Sequence, residues 1–325
     1  MSKAIRIHQH GGPEMMCWDE VDPGTPGPGQ ALIRHTAVGL NFIDVYHRTG
    51  LYKVPQLPCV LGMEAAGVVE ALGADVTDLT VGDRVAYAAP PLGAYAERRL
   101  MPADRLVIIP EGVDDRQAAA MMLKGMTAQY LLRRTYRVQP GDAVLIHAAA
   151  GGVGLIACQW AKHLGATVIG TVGSAAKADL ARGHGCDHPI LYGSEDLVAR
   201  VRQITGGRGV AVVYDSVGRD TFERSLDCLR PLGLLALFGQ SSGPVPPVDL
   251  QVLSAKGSLF VTRPTLMTYT AQRADLLASA TDLFEVVRSG AVRIEIQQSY
   301  ALKDAAQAHR DLEDRKTTGS TVLLP

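Results

Sequence analysis

Apolar and polar positions alternate along several short segments in the first third of the chain, and this alternation predicts β-strands. The predicted strands lie between turns rich in Gly, Pro and Asp, and they span Ala4–Ile7, Ala31–Val38, Gly62–Val69, Arg84–Ala88 and Ala94–Leu100. The Pro- and Gly-rich segment Asp22–Gly29 can form neither a helix nor a central strand, so it is predicted as a surface loop.

The pattern changes near Asp114, where two segments of helical composition, 115–122 and 127–134, precede a turn at Pro140–Asp142. Strands and helices then alternate. The predicted strands are Ala143–His147, Thr167–Val172, Pro189–Tyr192, Val210–Tyr214 and Leu234–Phe238. The predicted helices are Val153–Leu164, Ala175–Arg182, Glu195–Ile204 and Asp220–Leu229. This alternation is typical of an α/β domain, a doubly wound parallel sheet with helices on both faces.

A Pro-rich segment at 243–247 interrupts the alternation. The elements predicted after it are a strand at Ser258–Thr262, a long helix containing Leu276 and Val287, a strand at Val292–Gln297, a helix at Asp304–Leu312 and a strand at Ser320–Leu324. A length of 325 residues favours two domains.

The composition removes several classes of function. With 32 basic and 33 acidic residues and only 5% aromatic residues, the chain offers neither a charged footprint nor a stacking surface for nucleic acid. The most apolar stretch, Ala143–Cys158, stops short of a membrane-spanning length, and the first residues lack the apolar core of a signal peptide. Five scattered cysteines, no two closer than 28 residues, are typical of reduced thiols, so we expect a soluble cytoplasmic protein.

A glycine-rich loop follows the first strand of the alternating region. Ala149 to Gly154 matches G-x-G-x-x-G with alanine at the first position, and it stands between a predicted strand and a predicted helix. In such loops the backbone approaches a pyrophosphate, which the free N–H groups of the helix N-terminus bind. We therefore expect Gly151, Gly152 and Val153 to contact a dinucleotide.

The end of the next predicted strand indicates which dinucleotide binds. An NAD-type domain places Asp or Glu there to bind the ribose 2′-hydroxyl, but no acidic residue occurs between Asp142 and Asp179. Four residues at the ends of this strand and the next could instead receive a 2′-phosphate, and they are Gly173, Ser174, Lys177 and Tyr192. The sequence therefore predicts NADPH as cofactor, although Lys177 taken alone is also compatible with a solvated helix lysine.

Several motifs together resemble one family. The loop Ala148–Gly154 is similar to that of medium-chain dehydrogenases/reductases, while Gly39–Tyr46 with Gly50–Tyr52 resembles the quinone oxidoreductase branch, which includes zeta-crystallin. Lys124–Ala128 and Val213–Gly218 match as well, so the resemblance covers essentially the whole chain.

The resemblance implies a fold and an activity. It implies a GroES-like β-rich catalytic domain at 1–124, a Rossmann NADPH-binding domain at 125–262, and a segment at 263–325 that returns to the catalytic domain. The implied activity is NADPH-dependent reduction of a small hydrophobic quinone. Two alternatives stay open: reduction of α,β-unsaturated aldehydes or ketones, and a non-catalytic NADPH-binding protein.

The motifs also differ from those of zinc-dependent relatives. Asn41 stands where such relatives carry a Cys, and Met63 stands where they carry the His of a His–Glu pair, so only Glu64 remains. One carboxylate does not form a zinc site, so we expect no metal. A quinone or an activated enone accepts hydride without a Lewis acid, which fits this absence better than alcohol oxidation does.

By the same resemblance, Asn41, Tyr46 and Tyr52 border the nicotinamide and the acceptor, where their polar groups could bond a carbonyl oxygen; the alternative for the tyrosines is simple packing. Cofactor contacts are further expected at Lys124, Thr127, Tyr130, Ser216 and Arg315. They are also expected where the fifth predicted parallel strand and the next one end, at Phe238, Gly239, Ser241, Val261 and Arg263. For Lys124 the alternative is a solvated helix lysine, and for the two arginines it is a surface ion pair.

Two further hypotheses concern the end of the predicted Rossmann domain. The segment Gly239–Gly243 matches G-x-S-x-G, but Pro244, Pro246 and Pro247 prevent the helix that a hydrolase nucleophile requires, so we reject a hydrolase. If the strand Ser258–Thr262 forms the edge of the sheet, its backbone needs a partner. Family members pair such strands across a two-fold axis, so we expect a homodimer.

Overall fold

The computed structural model describes residues Met1–Pro325, and the chain divides into two units. Unit 1 consists of Met1–Met126, Thr270–Arg288 and Ile294–Pro325. Unit 2 consists of Thr127–Tyr269 and Ser289–Arg293. No helix has both the length and the apolar composition that crossing a membrane requires.

Unit 1 is built mainly from β-strands. Its strands are β1 (Ser2–Ile7), β2 (Met16–Val21), β3 (Gln30–Leu40), β4 (Cys59–Val60), β5 (Glu64–Leu72), β6 (Arg84–Ala88), β7 (Arg98–Pro102), β8 (Val107–Ile108), β15 (Ile296–Ala301) and β16 (Ser320–Leu324). Its helices are α1 (Phe42–Thr49), most of α2 (Asp115–Tyr130), α9 (Arg273–Arg288) and α10 (Ala305–Glu313).

These strands form two sheets. A three-stranded sheet has the order β2-β1-β4, and a larger sheet has the order β15-β16-β3-β5-β6-β8 with β7 paired to β3. The apolar positions of the alternating strands point into one core, where Ile5, Ile33, Val85, Tyr87 and Tyr95 are buried. Period-two alternation therefore places one face of each strand in this core.

Unit 2 is built from strands that alternate with helices. Its elements are β9 (Ala143–Ile146), α3 (Gly152–His163), β10 (Thr167–Val172), α4 (Ala175–Arg182), β11 (His188–Leu191), α5 (Leu197–Ile204), β12 (Val210–Asp215), α6 (Phe222–Cys228), β13 (Leu229–Leu237), α7 (Gln251–Ala255), β14 (Phe260–Thr262) and α8 (Leu266–Tyr269). The six strands are parallel in the order β11-β10-β9-β12-β13-β14. Numbered within the unit this is 3-2-1-4-5-6, the Rossmann order, so the predicted fold class is confirmed.

One helix was predicted as two. The segments at 115–122 and 127–134 belong to a single helix, α2, which continues through Gly125 and ends in a π-helical turn at Leu131–Thr135. Gly125 is present because of packing, since a Cβ there would lie 2.4 Å from Leu283 Cδ1. In the sequence, a glycine that is required for packing against a neighbouring helix cannot be distinguished from a glycine that ends its own helix.

Two strand predictions were displaced. Tyr95 O accepts the Ile5 N–H of β1 at 2.8 Å, whereas the Tyr95 N–H donates to Leu61 O at 2.8 Å, and the ladder with β3 begins only at Arg98. The strand predicted at Val292–Gln297 begins at Ile296, because the Gln159 side chain binds both N–H and C=O of Arg293. In both places the backbone groups form hydrogen bonds with other partners before the strand pairs within its sheet.

Candidate functional site

The residues predicted to contact a dinucleotide from unit 2 lie at one edge of its sheet. The glycine loop follows β9, Gly173 and Ser174 follow β10, and Tyr192 follows β11. Ser216 follows β12, Phe238 to Ser241 follow β13, and Arg263 follows β14. In open parallel sheets ligands bind at the carboxyl ends of the strands, where the strand order reverses, here between β9 and β12. Segments far apart in sequence thus meet at the expected edge.

The glycine loop has the geometry that its motif predicts. Gly151 is the N-cap of α3, so the first N–H groups of the helix face outward without helical partners. Gly154 has no room for a side chain, because a Cβ would lie 2.3 Å from Ala148 O. At Gly151 a Cβ would lie 3.2 Å from Ala148 O, which is tighter than an ordinary van der Waals contact, so this position also disfavours a side chain. Because these glycines carry no side chain, an anion can approach the backbone N–H groups.

The end of β10 holds a compact polar group. Ser174 is the N-cap of α4, and its hydroxyl accepts the backbone N–H of Lys177 at 3.3 Å, which leaves the hydroxyl proton to donate. Lys177 is half-buried on the first turn of α4. A Cβ on Gly173 would lie 2.6 Å from Tyr192 Oη, so the glycine lets the Tyr192 hydroxyl come close to the backbone at the end of β10.

The ends of β12 and β13 are joined by backbone bonds. Gly239 has no room for a side chain because a Cβ would lie 2.5 Å from Ser216 O, and Ser241 N–H donates to that same oxygen at 3.2 Å. Asp215 is fully buried and accepts the N–H groups of Val217 and Gly218 at 2.8 and 3.0 Å. This carboxylate orders the loop on which Ser216 lies, a role that the sequence analysis did not identify.

The other predicted contacts of unit 2 lie at β14 and on α2, before the glycine loop. Arg263 is exposed, and its Nη1 donates to Leu237 O at 2.9 Å, at the end of β13. Val261 lies on the edge strand β14 and is exposed. Tyr130 is buried and stacks on Tyr269 with ring centroids 4.3 Å apart, and its hydroxyl bonds with Thr127. Burial raises the pKa of Tyr130, so its hydroxyl keeps its proton.

In unit 1, Asn41 and Lys124 meet at one carboxylate. Glu64 is fully buried, and its Oε2 accepts Asn41 Nδ2–H at 2.7 Å and lies 3.4 Å from Lys124 Nζ. Its Oε1 accepts the backbone N–H of Leu123 at 2.7 Å, while Lys124 Nζ also donates to Leu40 O at 3.1 Å. Lys124 is therefore not a solvated helix lysine; it is a buried cation held by Glu64.

This cluster leaves two polar groups available to a ligand. Asn41 Oδ1 is buried and has no hydrogen-bond partner. The Lys124 ammonium has three donors, and Leu40 and Glu64 use two of them. A buried acceptor without a partner costs free energy, so a ligand that donates to Asn41 and accepts from Lys124 would gain from both. A hydroxyl group has this pair of properties.

The two tyrosines lie on and after α1. Tyr46 is buried, Tyr52 is half-buried, and their ring centroids are 5.1 Å apart. The loop after α1 exposes Leu51 and Leu57, which gives this region an apolar surface. Arg315 is exposed in the turn after α10, where its φ of +59° lies in the left-handed region. The structure thus groups Tyr46 with Tyr52, and it groups Asn41 with Lys124.

Two parts of this site were missed at the sequence level. The helix α1 was not predicted, although Asn41 is its N-cap and Asp44 Oδ2 accepts the Asn41 N–H at 2.9 Å. Asn followed three residues later by an acid is a signal for such a start. Glu64 was considered only as the remainder of a zinc site, and no spacing in the sequence connects it to Lys124.

Two family descriptions match the chain. Residues 27–111 match the alcohol dehydrogenase GroES-like domain, and residues 152–280 match the zinc-binding dehydrogenase family. A GroES-like region followed by a Rossmann sheet with a glycine loop after its first strand defines the class of medium-chain dehydrogenases/reductases.

Full-length relatives narrow the class to one family. The chain is 55% identical over 325 residues to a quinone oxidoreductase of Pseudomonas aeruginosa, with 100% of both chains covered. It is 50% identical over 331 residues to a 2-haloacrylate reductase of a Burkholderia species, covering 100% of this chain and 99% of the relative. A solved Escherichia coli quinone oxidoreductase complexed with NADPH has a TM-score of 0.98 at 51% identity, with 99% and 100% covered. The chain belongs to the quinone oxidoreductase family.

We predict that the purified protein contains no stoichiometric zinc. Asn41 binds Glu64, Met63 is buried, and no three His, Cys, Asp or Glu side chains lie together as metal ligands. Elemental analysis of protein purified without a metal-affinity column checks this, together with activity measured after chelation. One zinc per chain, with activity lost to the chelator, would show the prediction to be wrong.

Proposed function

We propose that the protein reduces quinones with NADPH. The observation that supports this most is the convergence of the residues after β9 to β14 on one edge of a Rossmann sheet, in a chain 51% identical to a relative solved with NADPH. NADPH supplies the hydride from C4 of its nicotinamide. The protein's residues bind and orient the reactants, which is a large part of catalysis in such reactions.

We assign the nucleotide half of the site to domain 125–262. The loop residues Gly151, Gly152 and Val153 bind the pyrophosphate, while Ser174, Lys177 and Tyr192 surround the 2′-phosphate beside Gly173. The nicotinamide half is bounded by Thr127, Tyr130, Ser216, Phe238, Gly239 and Ser241. Val261, Arg263 and Arg315 are proposed as outer contacts. The absence of an acid after β10 supports a phosphate in this place.

We assign the acceptor half to domain 1–124 and to the segment 263–325 that returns to it. Asn41 Oδ1 and the remaining N–H of Lys124 bind a hydroxyl of the nicotinamide ribose, which matches the donor and acceptor left over in this cluster. Tyr46 and Tyr52 face the acceptor, and the exposed Leu51 and Leu57 suit a flat, hydrophobic quinone. The Lys124 ammonium also stabilises negative charge that develops on the acceptor.

Activated alkenes are the second candidate substrates. A 2-haloacrylate reductase is 50% identical over the full chain, and a solved 2-haloacrylate reductase has a TM-score of 0.89, so the same fold serves a protein named for an activated carbon–carbon double bond. Hydride addition to such a bond also places negative charge on a conjugated oxygen. The two candidates therefore differ in the shape of the acceptor and not in the charge to be stabilised.

A panel of acceptors separates these candidates. With NADPH fixed, we expect kcat/KM for a naphthoquinone and an ortho-quinone to exceed that for an alkenal and a 2-haloacrylate. If the haloacrylate is the better substrate, the protein is an alkene reductase. NADPH-dependent thermal stabilisation without turnover of any acceptor would support a non-catalytic role instead.

We further propose a cytoplasmic homodimer. All five cysteines are free, which is compatible with a reducing compartment. The strand β14 forms an edge of the parallel sheet, and its Phe260 is 59% exposed while the nearby Leu250 is 73% exposed. An apolar, unpaired edge is a surface for pairing with a second copy.

The expected mass in light scattering is twice 34.6 kDa at micromolar concentration. Phe260→Glu should give the mass of one chain, because a charge on the paired edge opposes burial. Val81→Glu is the matched control, since Val81 is 63% exposed but lies in unit 1, and it should leave the dimer intact. A wild-type protein with the mass of one chain would contradict the proposal.

A further inference from the structure

Four buried or nearly buried groups of unit 1 form a continuous line of hydrogen bonds that ends at the start of α1. Arg48 Nη1 lies 2.9 Å from His309 Nδ1, and His309 Nε2 lies 3.0 Å from Tyr95 Oη. Tyr95 Oη lies 3.0 Å from Asp44 Oδ2, which accepts the Asn41 N–H at 2.9 Å. Arg48, Tyr95, His309 and Asp44 are each at most 1% exposed. The line therefore connects helix α10 with the residue that begins α1.

The protons in this line can be placed by elimination. Arginine only donates, so His309 Nδ1 must accept from Arg48. Burial and the nearby Arg48 lower the pKa of His309 to about 3, so the ring is neutral and its one proton is on Nε2. That Nε2–H donates to Tyr95, and the Tyr95 hydroxyl therefore donates to Asp44. Every bond points toward the carboxylate.

This polarity decides between two roles for the line. To conduct a proton to Asp44, His309 would have to be resupplied at Nδ1 from Arg48. Arginine does not give up its proton in proteins. Arg48 is moreover fixed on its other side by Glu313, whose two oxygens each lie 2.8 Å from the guanidinium. The line therefore orients groups and does not carry protons.

We propose that Arg48, His309 and Tyr95 are positioning residues, which direct one hydroxyl proton at Asp44 and thereby hold the carboxylate that fixes Asn41. The proposal rests on the proposed function, because Asn41 is the residue assigned to the cofactor. When Asp44 is ionised it accepts from both Tyr95 and Asn41, and it lies in the first turn of α1, where negative charge is favourable. When Asp44 is protonated, both bonds go to a weaker acceptor.

The surroundings make the charge of Asp44 sensitive to these bonds. Burial raises the pKa of Asp44 to about 7, against the opposing effects of Asn41, Tyr95 and the Lys124 ammonium; the Glu64 carboxylate raises it further. Asn41 lies at the start of α1, Tyr95 in the segment before β7, Lys124 on α2 and Glu64 on β5. His309 of α10 acts on Asp44 through Tyr95. Loss of a hydrogen-bond donor to Asp44 therefore changes the ionised fraction of this carboxyl near neutral pH, where the effect can be measured.

The first experiment removes one donor. Tyr95→Phe should move the ionisation of Asp44 upward by about one pH unit or more, since a hydrogen bond to a charged group is lost. Infrared titration of the protein without nucleotide measures this directly, with Asp44→Asn to identify the carboxyl band. The acid limb of the pH profile of kcat/KM should move upward by the same amount. Tyr87→Phe is the control, because Tyr87 is equally buried but bonds His35 outside the line.

The second experiment tests the direction of the line. Glutamine at position 309 can accept from Arg48 with its oxygen and donate to Tyr95 with its nitrogen, whereas leucine can do neither. His309→Gln should therefore keep the wild-type pH profile, and His309→Leu should shift it upward. Unfolding curves of each variant are recorded so that loss of folded protein is separated from a shift of the profile.

Three results would overturn the proposal. They are an unchanged Asp44 titration in Tyr95→Phe, an equal shift in Tyr87→Phe, or identical profiles in the two His309 variants. A shifted titration with an unshifted pH profile would refute the connection to catalysis. The infrared titration needs no turnover, so it gives its answer even if the protein proves inactive with every quinone, in which case only the proposed function fails.

Discussion

Replacing Glu64 by glutamine should lower the free energy of unfolding by about 3–5 kcal/mol, the range for removing one partner of a buried ion pair. The substitution keeps the size of the side chain but removes the carboxylate that lies 3.4 Å from the Lys124 ammonium, a group that is only 6% exposed. In the wild type, Glu64 Oε2 accepts from both Asn41 and Lys124, whereas glutamine would present either a weaker oxygen acceptor or an NH₂ group to them. Denaturant unfolding monitored by fluorescence measures the change.

Two further variants make this result specific. Glu70→Gln is the matched control, because Glu70 pairs with Arg34 and Arg98 near the surface, and an exposed pair contributes about 0–1 kcal/mol. The double variant Glu64→Gln with Lys124→Met should recover part of the loss, since the unpaired charge is then gone. A Glu64→Gln protein as stable as Glu70→Gln would mean that Lys124 is not held as the structure has it.

Lys177→Ala should lower kcat/KM for NADPH by about ten- to a hundredfold and leave NADH nearly unaffected. A charge-assisted hydrogen bond contributes roughly 1.5–3 kcal/mol, and only NADPH carries the 2′-phosphate that would receive it. Lys177 lies on the first turn of α4, one turn from Ser174, at the end of a strand without an acidic residue. Steady-state kinetics with both nucleotides and one quinone give the two ratios.

Lys162→Ala is the control for this effect. Lys162 lies in the last turn of α3 and pairs with Asp187 at 2.6 Å, away from the carboxyl ends of the strands. It should change neither nucleotide. A wild-type protein that uses NADH as well as NADPH, or a Lys177→Ala variant that loses both alike, would show the assignment of the 2′-phosphate site to be wrong.

The Rossmann half was largely predictable because its signals are local. The alternation of strand-like and helix-like segments after Pro140–Asp142 predicted Thr167–Val172 and Ala175–Arg182 with the observed bounds. Once a parallel sheet is predicted, its carboxyl ends are known to share one edge, so residues after each strand can be grouped without knowing any contact. That rule is why Gly173, Phe238 and Arg263 could be named from the sequence.

The β-rich half was less predictable because its contacts are long-range. Glu64 and Lys124 are 60 residues apart, and Arg48 and His309 are 261 residues apart, with no motif to connect either pair. The alternative that Lys124 is a solvated helix lysine was reasonable from its helical position, but it was wrong because Lys124 is buried. A polar residue that a fold buries for a partner elsewhere looks, in the sequence, like any surface residue.

The most direct test of the proposed function is a single-turnover reaction of the protein with NADPH and a naphthoquinone under anaerobic conditions. We expect that one NADPH is oxidised for each quinol formed, in protein free of zinc, and that NADH at the same concentration reacts more slowly. The contradicting result is NADPH that binds the protein but is oxidised no faster than in buffer when the quinone is added.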